Sequence, residues 1–263
     1  MSNTRAALAA VLLTITMVAA AAAQDRLKVG VSGGDGELIW ARVKEVAKRK
    51  GLDVDVIVFN DYLLPNAALD GGDLDANAFQ HRPFLENQIK SRGYHIVAIA
   101  DTIVEPIGLY SVKVKSVSGL PDGAAIGIPN DPSNGGRGLL LLQQQGLIRL
   151  RDGVGILPSV RDIVANPKKL KFRELDAAQL PRSLPDLDAA IINTNYALQA
   201  RLSPQKDAIA IESRTNNPYG NVIAVRTRDK DKPVFKTLVA AYQSDEIRQF
   251  ILRQFDGAIL PVF

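Results

Sequence analysis

The chain of 263 residues contains no cysteine. That excludes disulfide bonds, thiolate catalysis and cysteine-based zinc sites, and with them a lipid carried on a cysteine at a processed N-terminus. Histidine is almost as scarce, with only His81 and His95. Neither has a partner at the i+4 spacing of a metal-binding helix, and a Gly-x-Ser-x-Gly nucleophile elbow is missing. Nucleotide loops are missing too. A dinucleotide fingerprint starting at Gly34 and Gly36 needs glycine at position 39, where Ile39 stands, and no Gly-Lys-Ser or Gly-Lys-Thr follows a strand. Catalytic residues, a metal and a cofactor are therefore not expected. His95, beside Tyr94 at the mouth of a strand, reads as structural, and Asp73 with Asp75 reads as a solvated loop.

Charge is nearly balanced. Arg5 begins a segment whose residues 6–18 are almost wholly apolar and whose residues 19–23 are small, ending in Ala-Ala-Ala before Gln24. This is the order of a secretory signal peptide, with an apolar run shorter than a membrane span needs. Cleavage after Ala23 leaves 240 residues, with 31 Lys and Arg against 28 acids. So weak an excess, without basic residues interleaved with aromatics, does not point to nucleic acid. The densest basic patch, Lys168-Lys169 with Lys171-Phe172-Arg173, reads as a solvated face. No later run is apolar for long enough to cross a bilayer. The expected product is a freely soluble periplasmic protein with no lipid anchor.

Hydrophobic periodicity gives an α/β chain. Residues 27–31 and 53–59 read as strands around a helix over 37–49, whose Leu38, Ile39, Val43, Val46 and Ala47 share a side. Such a strand–helix–strand unit favours a parallel sheet. Asp61 could cap a helix over 62–69. A short strand near Ala76 and Asn77, a helix over 82–90 and a strand over 94–101 follow. After Glu105-Pro106 the pattern restarts, with strands over 107–112, 124–128, 170–175, 189–192 and 208–212. The helices of this part are placed at 138–145 and 195–201, with a short one ending in 163–167. Past the Pro218-Tyr219-Gly220 turn come a strand over 221–225 and helices over 233–242 and 244–253. Two breaks, at 104–106 and 214–220, let the middle of the chain form one lobe while both ends share the other. The expected domains are residues 24–105 with 216–263, and residues 106–215, with a ligand cleft between lobes joined by two crossings.

Two stretches carry candidate chemistry. Asn130-Asp131-Pro132-Ser133-Asn134-Gly135-Gly136-Arg137 joins an apolar strand to a Leu- and Gln-rich helix, with Ser133 and Asn134 as candidate N-caps. Such a helix start offers unpaired N–H groups and a positive dipole end. Arg137 in its first turn adds a planar fork suited to a carboxylate. In Asn77-Ala78-Phe79-Gln80-His81-Arg82-Pro83-Phe84, three rings lie within six residues and could wall an apolar side-chain pocket, with the imidazole as a polar contact. Read alone, the first stretch fits an ordinary strand-to-helix turn equally well, and the second fits two core phenylalanines with a capping histidine.

Taken together, Gly72-Asp73-Leu74-Asp75-Ala76-Asn77, Phe79-Gln80-His81, Pro83, Val104-Glu105-Pro106, Gly108-Leu109-Tyr110-Ser111 and Ile128-Pro129-Asn130-Asp131-Pro132 resemble the NlpA/MetQ family of methionine-binding proteins of bacterial ABC importers. The resemblance continues through Asn134, Gly136-Arg137, residues 177–183, Asn193, Asn195-Tyr196-Ala197, Pro218-Tyr219 and Asn221-Val222, covering nearly the whole mature chain in order. It implies a two-lobed, type II-like periplasmic binding protein, a monomer that captures L-methionine or a close analogue. The partners it implies are the membrane permease and ATPase subunits of an importer, which would supply the ATP hydrolysis. By position, Arg137 and Asn134 match residues that hold the amino-acid carboxylate, and Asn195 and Asn221 match those around the amino group. Tyr62, Phe79, His81 and Phe84 match those around the side chain. The alternatives are D-methionine, a methionine-containing dipeptide or another apolar amino acid as ligand, a hydrolase using His81 and an Asp, and a surface or adhesin role. Three features depart from the family pattern: Gly34-Asp35-Gly36 where Gly-Pro-His is frequent, Phe84 where tyrosine is frequent, and the absence of the lipoprotein cysteine.

Overall fold

The computed structural model describes residues 25–263; the leader assigned to residues 1–23 lies outside them. The first sheet takes shape early. Strand β1 (Asp25–Ser32) leads into α1 (Asp35–Arg49), β2 (Leu52–Phe59), α2 (Leu64–Gly71), β3 (Ala76–His81), α3 (Arg82–Arg92) and β4 (Ile96–Val104). The chain then crosses to a second sheet through β5 (Gly108–Tyr110), β6 (Ala125–Pro129), α4 (Pro132–Gln144), β7 (Arg149–Leu150), β8 (Ile163–Ala165), β9 (Lys171–Leu175), α5 (Leu180–Ser183), β10 (Ala189–Ile192), α6 (Thr194–Gln199) and β11 (Ala208–Ile211). It returns to the first with β12 (Gly220–Arg226), α7 (Pro233–Tyr242), α8 (Asp245–Phe255) and β13 (Leu260–Pro261).

The six-stranded sheet has the order β13-β4-β12-β3-β1-β2 and the five-stranded one β11-β5-β10-β6-β9. The parallel pairings expected from the strand–helix–strand pattern are present between β1 and β2, β1 and β3, β6 and β9, and β6 and β10. Each sheet also takes in a strand of opposite sense: β12 lies antiparallel between β3 and β4, and β5 lies antiparallel to β10. Both of these strands follow a crossing, so they enter their sheet without a helix on the preceding strand's side.

Local chemistry explains the elements around the site. Helix α1 carries Glu37 in its first turn and ends with Lys48 and Arg49, charges that suit its dipole. Its buried stripe of Ile39, Trp40, Val43, Val46 and Ala47 packs with α7 and α8 on one face of the first sheet, where Trp40 meets Tyr242 at 5.3 Å between ring centroids. Leu69 of α2 and Leu85 of α3 cover the other face. In the second sheet Leu139 and Leu142 of α4 cover one face and Leu180 and Tyr196 the other. Among the described residues no helix is long and apolar enough to cross a membrane.

Three expectations need correction. Asp61 does not start a helix at residue 62. Its Oδ1 accepts the N–H groups of Leu63 (2.7 Å) and Leu64 (3.0 Å), which makes a turn, and α2 begins only at Leu64 ahead of Pro65. Tyr62 is thereby left in a loop. Residues 163–167 do not end a helix: a single turn at Val160–Asp162 gives way to β8, antiparallel to β7. Ser159 donates N–H and O–H to Asp162, closing that turn on itself, and the β-branched Ile163-Val164 pair favours the strand. The cap of α4 is Asp131, neither Ser133 nor Asn134. Pro132 at the first helical position fixes the backbone there, so the acceptor one residue earlier receives the Asn134 N–H at 2.9 Å.

Candidate functional site

The residues singled out in the sequence meet at one place. Tyr62, Phe79, His81, Phe84, Asn134, Arg137, Asn195 and Asn221 all line a single cavity between the two sheets, together with Gln80, Glu105, Asn193 and Thr194. About 350 Å³ of non-atom space, open solvent included, lies within it.

One wall is aromatic. The Tyr62 ring lies 6.1 Å from Phe79 and 6.0 Å from Phe84, and Phe79 and Phe84 meet edge to face at 6.0 Å. His81 stands at 6.2 Å from Phe84, also edge-on. The strand-to-helix junction of β3 and α3 produces this cluster, with Phe79 and His81 at the end of β3 and Phe84 in the first turn of α3. His81 caps that helix: its Nδ1 accepts the Phe84 N–H at 3.1 Å. That bond leaves the proton on Nε2, which donates to Asn134 Oδ1 at 3.1 Å. Burial, with the Arg137 charge second, holds the imidazole pKa down to about 3, so the ring is neutral. Behind β3, Asn66, Asn77 and Gln80 satisfy one another in a buried amide network with bonds of 2.7–3.0 Å, fixing the strand that carries the rings.

The opposite wall is polar and comes from α4, α6 and the crossings. Gly135 and Gly136 let the head of α4 seat tightly: a Cβ on Gly135 would stand 2.6 Å from the Pro129 carbonyl oxygen, and one on Gly136 2.9 Å from that of Pro158. Arg137, buried in this turn, commits its Nε–Nη2 edge within the protein. That edge donates to Glu212 at 2.5–3.1 Å, and Nη2 also donates to the Glu105 carbonyl at 2.8 Å. The Tyr219 ring covers the guanidinium at 4.3 Å. The two-bond fork foreseen for a ligand is thus partly taken by Glu212, and among the described residues Nη1 makes no hydrogen bond. Asn134 is also committed within the protein. Its Nδ2 donates to Asp131, and its Oδ1 accepts from Asn193 (2.8 Å) as well as from His81.

Other groups have buried polar atoms without a protein partner. These are Asn195 Nδ2, Asn193 Oδ1 and Glu105 Oε1, all on residues of the cavity wall. The Tyr62 hydroxyl donates to Asn195 Oδ1 at 2.6 Å, and Asn221 Nδ2 donates to Glu105 Oε2 at 2.8 Å. A buried donor or acceptor left unpaired is costly, so these atoms mark where a polar ligand gains most. Glu105, Asn193, Thr194 and Gln80 were not foreseen as site residues. Glu105 had a signal that could have found it, a charged residue ahead of Pro106 between apolar strands at the first crossing.

Two readings made from sequence differ from the structure. Asp73 is exposed, but Asp75 is not a solvated loop residue: it is half-buried, pairs with Arg226 at 3.4 Å and accepts the Lys28 N–H. His95, read as structural, has its side chain exposed beside Asp70. Among the described residues no group of three or more His, Cys, Asp or Glu could hold a metal ion.

Two sheets joined by two crossings, with a small polar and aromatic cavity between them, define a two-lobed binding protein of the periplasmic substrate-binding class. The chain belongs to the NlpA lipoprotein family, whose pattern matches residues 27–263. It is 52% identical over 236 residues to the D-methionine-binding lipoprotein MetQ of Escherichia coli K12, covering 89% of this chain and 87% of that one. Among solved structures, a nutrient binding protein from Burkholderia cenocepacia bound to methionine is 58% identical with a TM-score of 0.88, covering 90% of this chain and all of that one. An ABC transporter periplasmic substrate-binding protein from Coxiella burnetii is 48% identical with a TM-score of 0.86, covering 90% and 100%. These relatives correct the expected localisation. The family and the E. coli relative are named lipoproteins, so the missing cysteine does not establish a free soluble protein. Residues 1–24 lie outside the described structure.

Proposed function

We propose that this chain captures L-methionine, or a close analogue, in the cavity between its sheets and delivers it to the permease and ATPase subunits of an ABC importer. It acts as a monomer and performs no chemistry of its own. In this reading residues 24–105 with 216–263 form one lobe and 106–215 the other, hinged at the crossings. The observation that carries it is the pairing of an aromatic wall with orphaned donors and acceptors across one small cavity. A carboxylate needs donors, which Arg137 Nη1 and Asn195 Nδ2 supply. An ammonium needs acceptors, which Glu105 Oε1 and Asn193 Oδ1 supply. Asn221 serves the amino group by holding Glu105, and Asn134 serves by holding His81 against Asn193. The polarizable thioether then lies against Tyr62, Phe79 and Phe84. Closure follows from contacts that both lobes complete together, such as His81 to Asn134 and Tyr62 to Asn195.

Thermal melting tests the ligand assignment. Methionine present at about 100 times its Kd stabilises the folded protein by ~2.7 kcal/mol, so the melting temperature should rise. No shift at millimolar L- or D-methionine, with a clear shift from a dipeptide or another apolar amino acid, would reject methionine as the ligand.

A further inference from the structure

Beneath the cavity lies a pair of acids that the binding reading uses only in part. Asp35 is the first residue of α1 and is 3% exposed; Glu105 opens the first crossing, directly after β4. Both oxygens of Asp35 and Oε1 of Glu105 are buried without a donor, while Asn221 occupies Glu105 Oε2. The two carboxyls are close enough for a hydrogen bond once a proton lies between them. Two carboxylates in contact cannot form that bond with no proton between them. Burial, then the Glu105 charge, pushes the Asp35 carboxyl well above its usual range, and burial raises Glu105 as well. The surrounding groups leave the pair short of positive charge. Arg137 from α4 helps Glu105 but is itself held by Glu212. Tyr62 and Tyr242, the other titratable groups against the pair, are kept neutral, chiefly by burial, and His81 is neutral too.

We propose that Asp35 and Glu105 share one proton in the free protein, and that an α-ammonium arriving at Glu105 expels that proton to solvent. The charges balance. The singly protonated pair, of charge −1, and the ammonium become a dianion holding the ammonium plus one released proton. Asp35 is thus a positioning residue. It does not reach the ligand, but it sets the charge on the acid that does. The proton stands in for the ligand's cation in the empty site, where two unprotonated carboxylates would repel each other. This inference rests on the amino-acid reading of the cavity.

Linkage makes the consequence measurable. Where binding releases a proton, affinity rises with pH, by up to tenfold per pH unit for one whole proton. The window extends above the ordinary carboxylate range, because the free pair holds its proton more tightly than usual. Isothermal titration of the full chain with L-methionine, between about pH 5 and pH 8 and in two buffers of different ionisation enthalpy, gives both the slope and the number of protons. Proton release in the wild-type protein, with an affinity slope that disappears in Asp35→Asn, supports the proposal. The asparagine still donates to Glu105 but has no proton to lose. Methionine binding with no proton exchange and a flat profile overturns the shared proton and leaves the ligand assignment standing. Absence of binding by any amino acid at any pH overturns both. The wild-type proton count alone decides the matter if Asp35→Asn fails to fold.

Discussion

Replacing Arg137 by alanine separates two roles that its position combines. In the folded chain the guanidinium neutralises Glu212, whose side chain is only 13% exposed, and donates to the Glu105 carbonyl. Removing one partner of a buried ion pair costs about 3–5 kcal/mol, because the other charge is left uncompensated. For a domain of this size, ~2–4 °C per kcal/mol translates that into a melting temperature lower by roughly 6–20 °C. The ligand carboxylate loses its positive partner as well. Truncating such a partner costs ~2–5 kcal/mol, or roughly 30-fold to a few thousand-fold in Kd. The double variant Arg137→Ala/Glu212→Ala tells the effects apart, since it buries no lone carboxylate. Denaturant unfolding should show stability partly recovered in the double variant, while calorimetric titration with methionine should show affinity still lost. If the double variant binds like the wild type, Arg137 serves the fold alone and the carboxylate lies elsewhere. An affinity for Arg137→Ala within about twofold of wild type would show more directly that the guanidinium does not hold the carboxylate.

Gly135→Ala sets two opposite effects against each other. Alanine gains up to about 1 kcal/mol of helix propensity, but its Cβ would stand 2.6 Å from the Pro129 carbonyl oxygen, and such overpacking costs ~1–3 kcal/mol. Net destabilisation is expected in denaturant unfolding, and an alanine variant as stable as wild type would show that the head of α4 has room to shift. His81 gives a pH signature. Its folded-state pKa of about 3 lies below the ~6.5 of a free imidazole, so the unfolded chain takes up the proton first. The stability tied to the neutral ring is therefore whole above about pH 6.5 and is lost as pH falls from there toward 3. Asp35 and Glu105, raised instead, have the opposite effect and disfavour folding only above the ordinary carboxylate range. His81→Asn keeps a helix-capping oxygen but no ionisable ring. Its stability between about pH 4 and pH 6.5 should fall less steeply with acid than that of the wild type, and parallel curves would contradict a buried neutral imidazole.

Much of this protein is legible in its residues alone. Hydrophobic period located most strands and helices, because each buries one face against a sheet and that repeat survives in a single chain. Residue type pointed to the Asn134–Arg137 turn and the rings of 79–84, because a glycine-rich helix start and clustered aromatics keep their chemistry wherever they are placed. Tertiary structure alone decided how these parts are used. Asp131 displaced Ser133 and Asn134 as the cap because Pro132 fixed the register of the helix start. Glu212, 75 residues from Arg137 along the chain, took one edge of the guanidinium, and no local pattern announces a partner so distant. Whether an amide faces a ligand or a neighbour depends on what the opposite sheet brings to it. Asn134 was committed to His81 and Asp131, whereas Asn195 kept a free donor. The pairing of Asp35 with Glu105 is the clearest case. Each acid alone reads as an ordinary loop or crossing residue, and only burial in contact, where water cannot separate their charges, makes them one titrating unit.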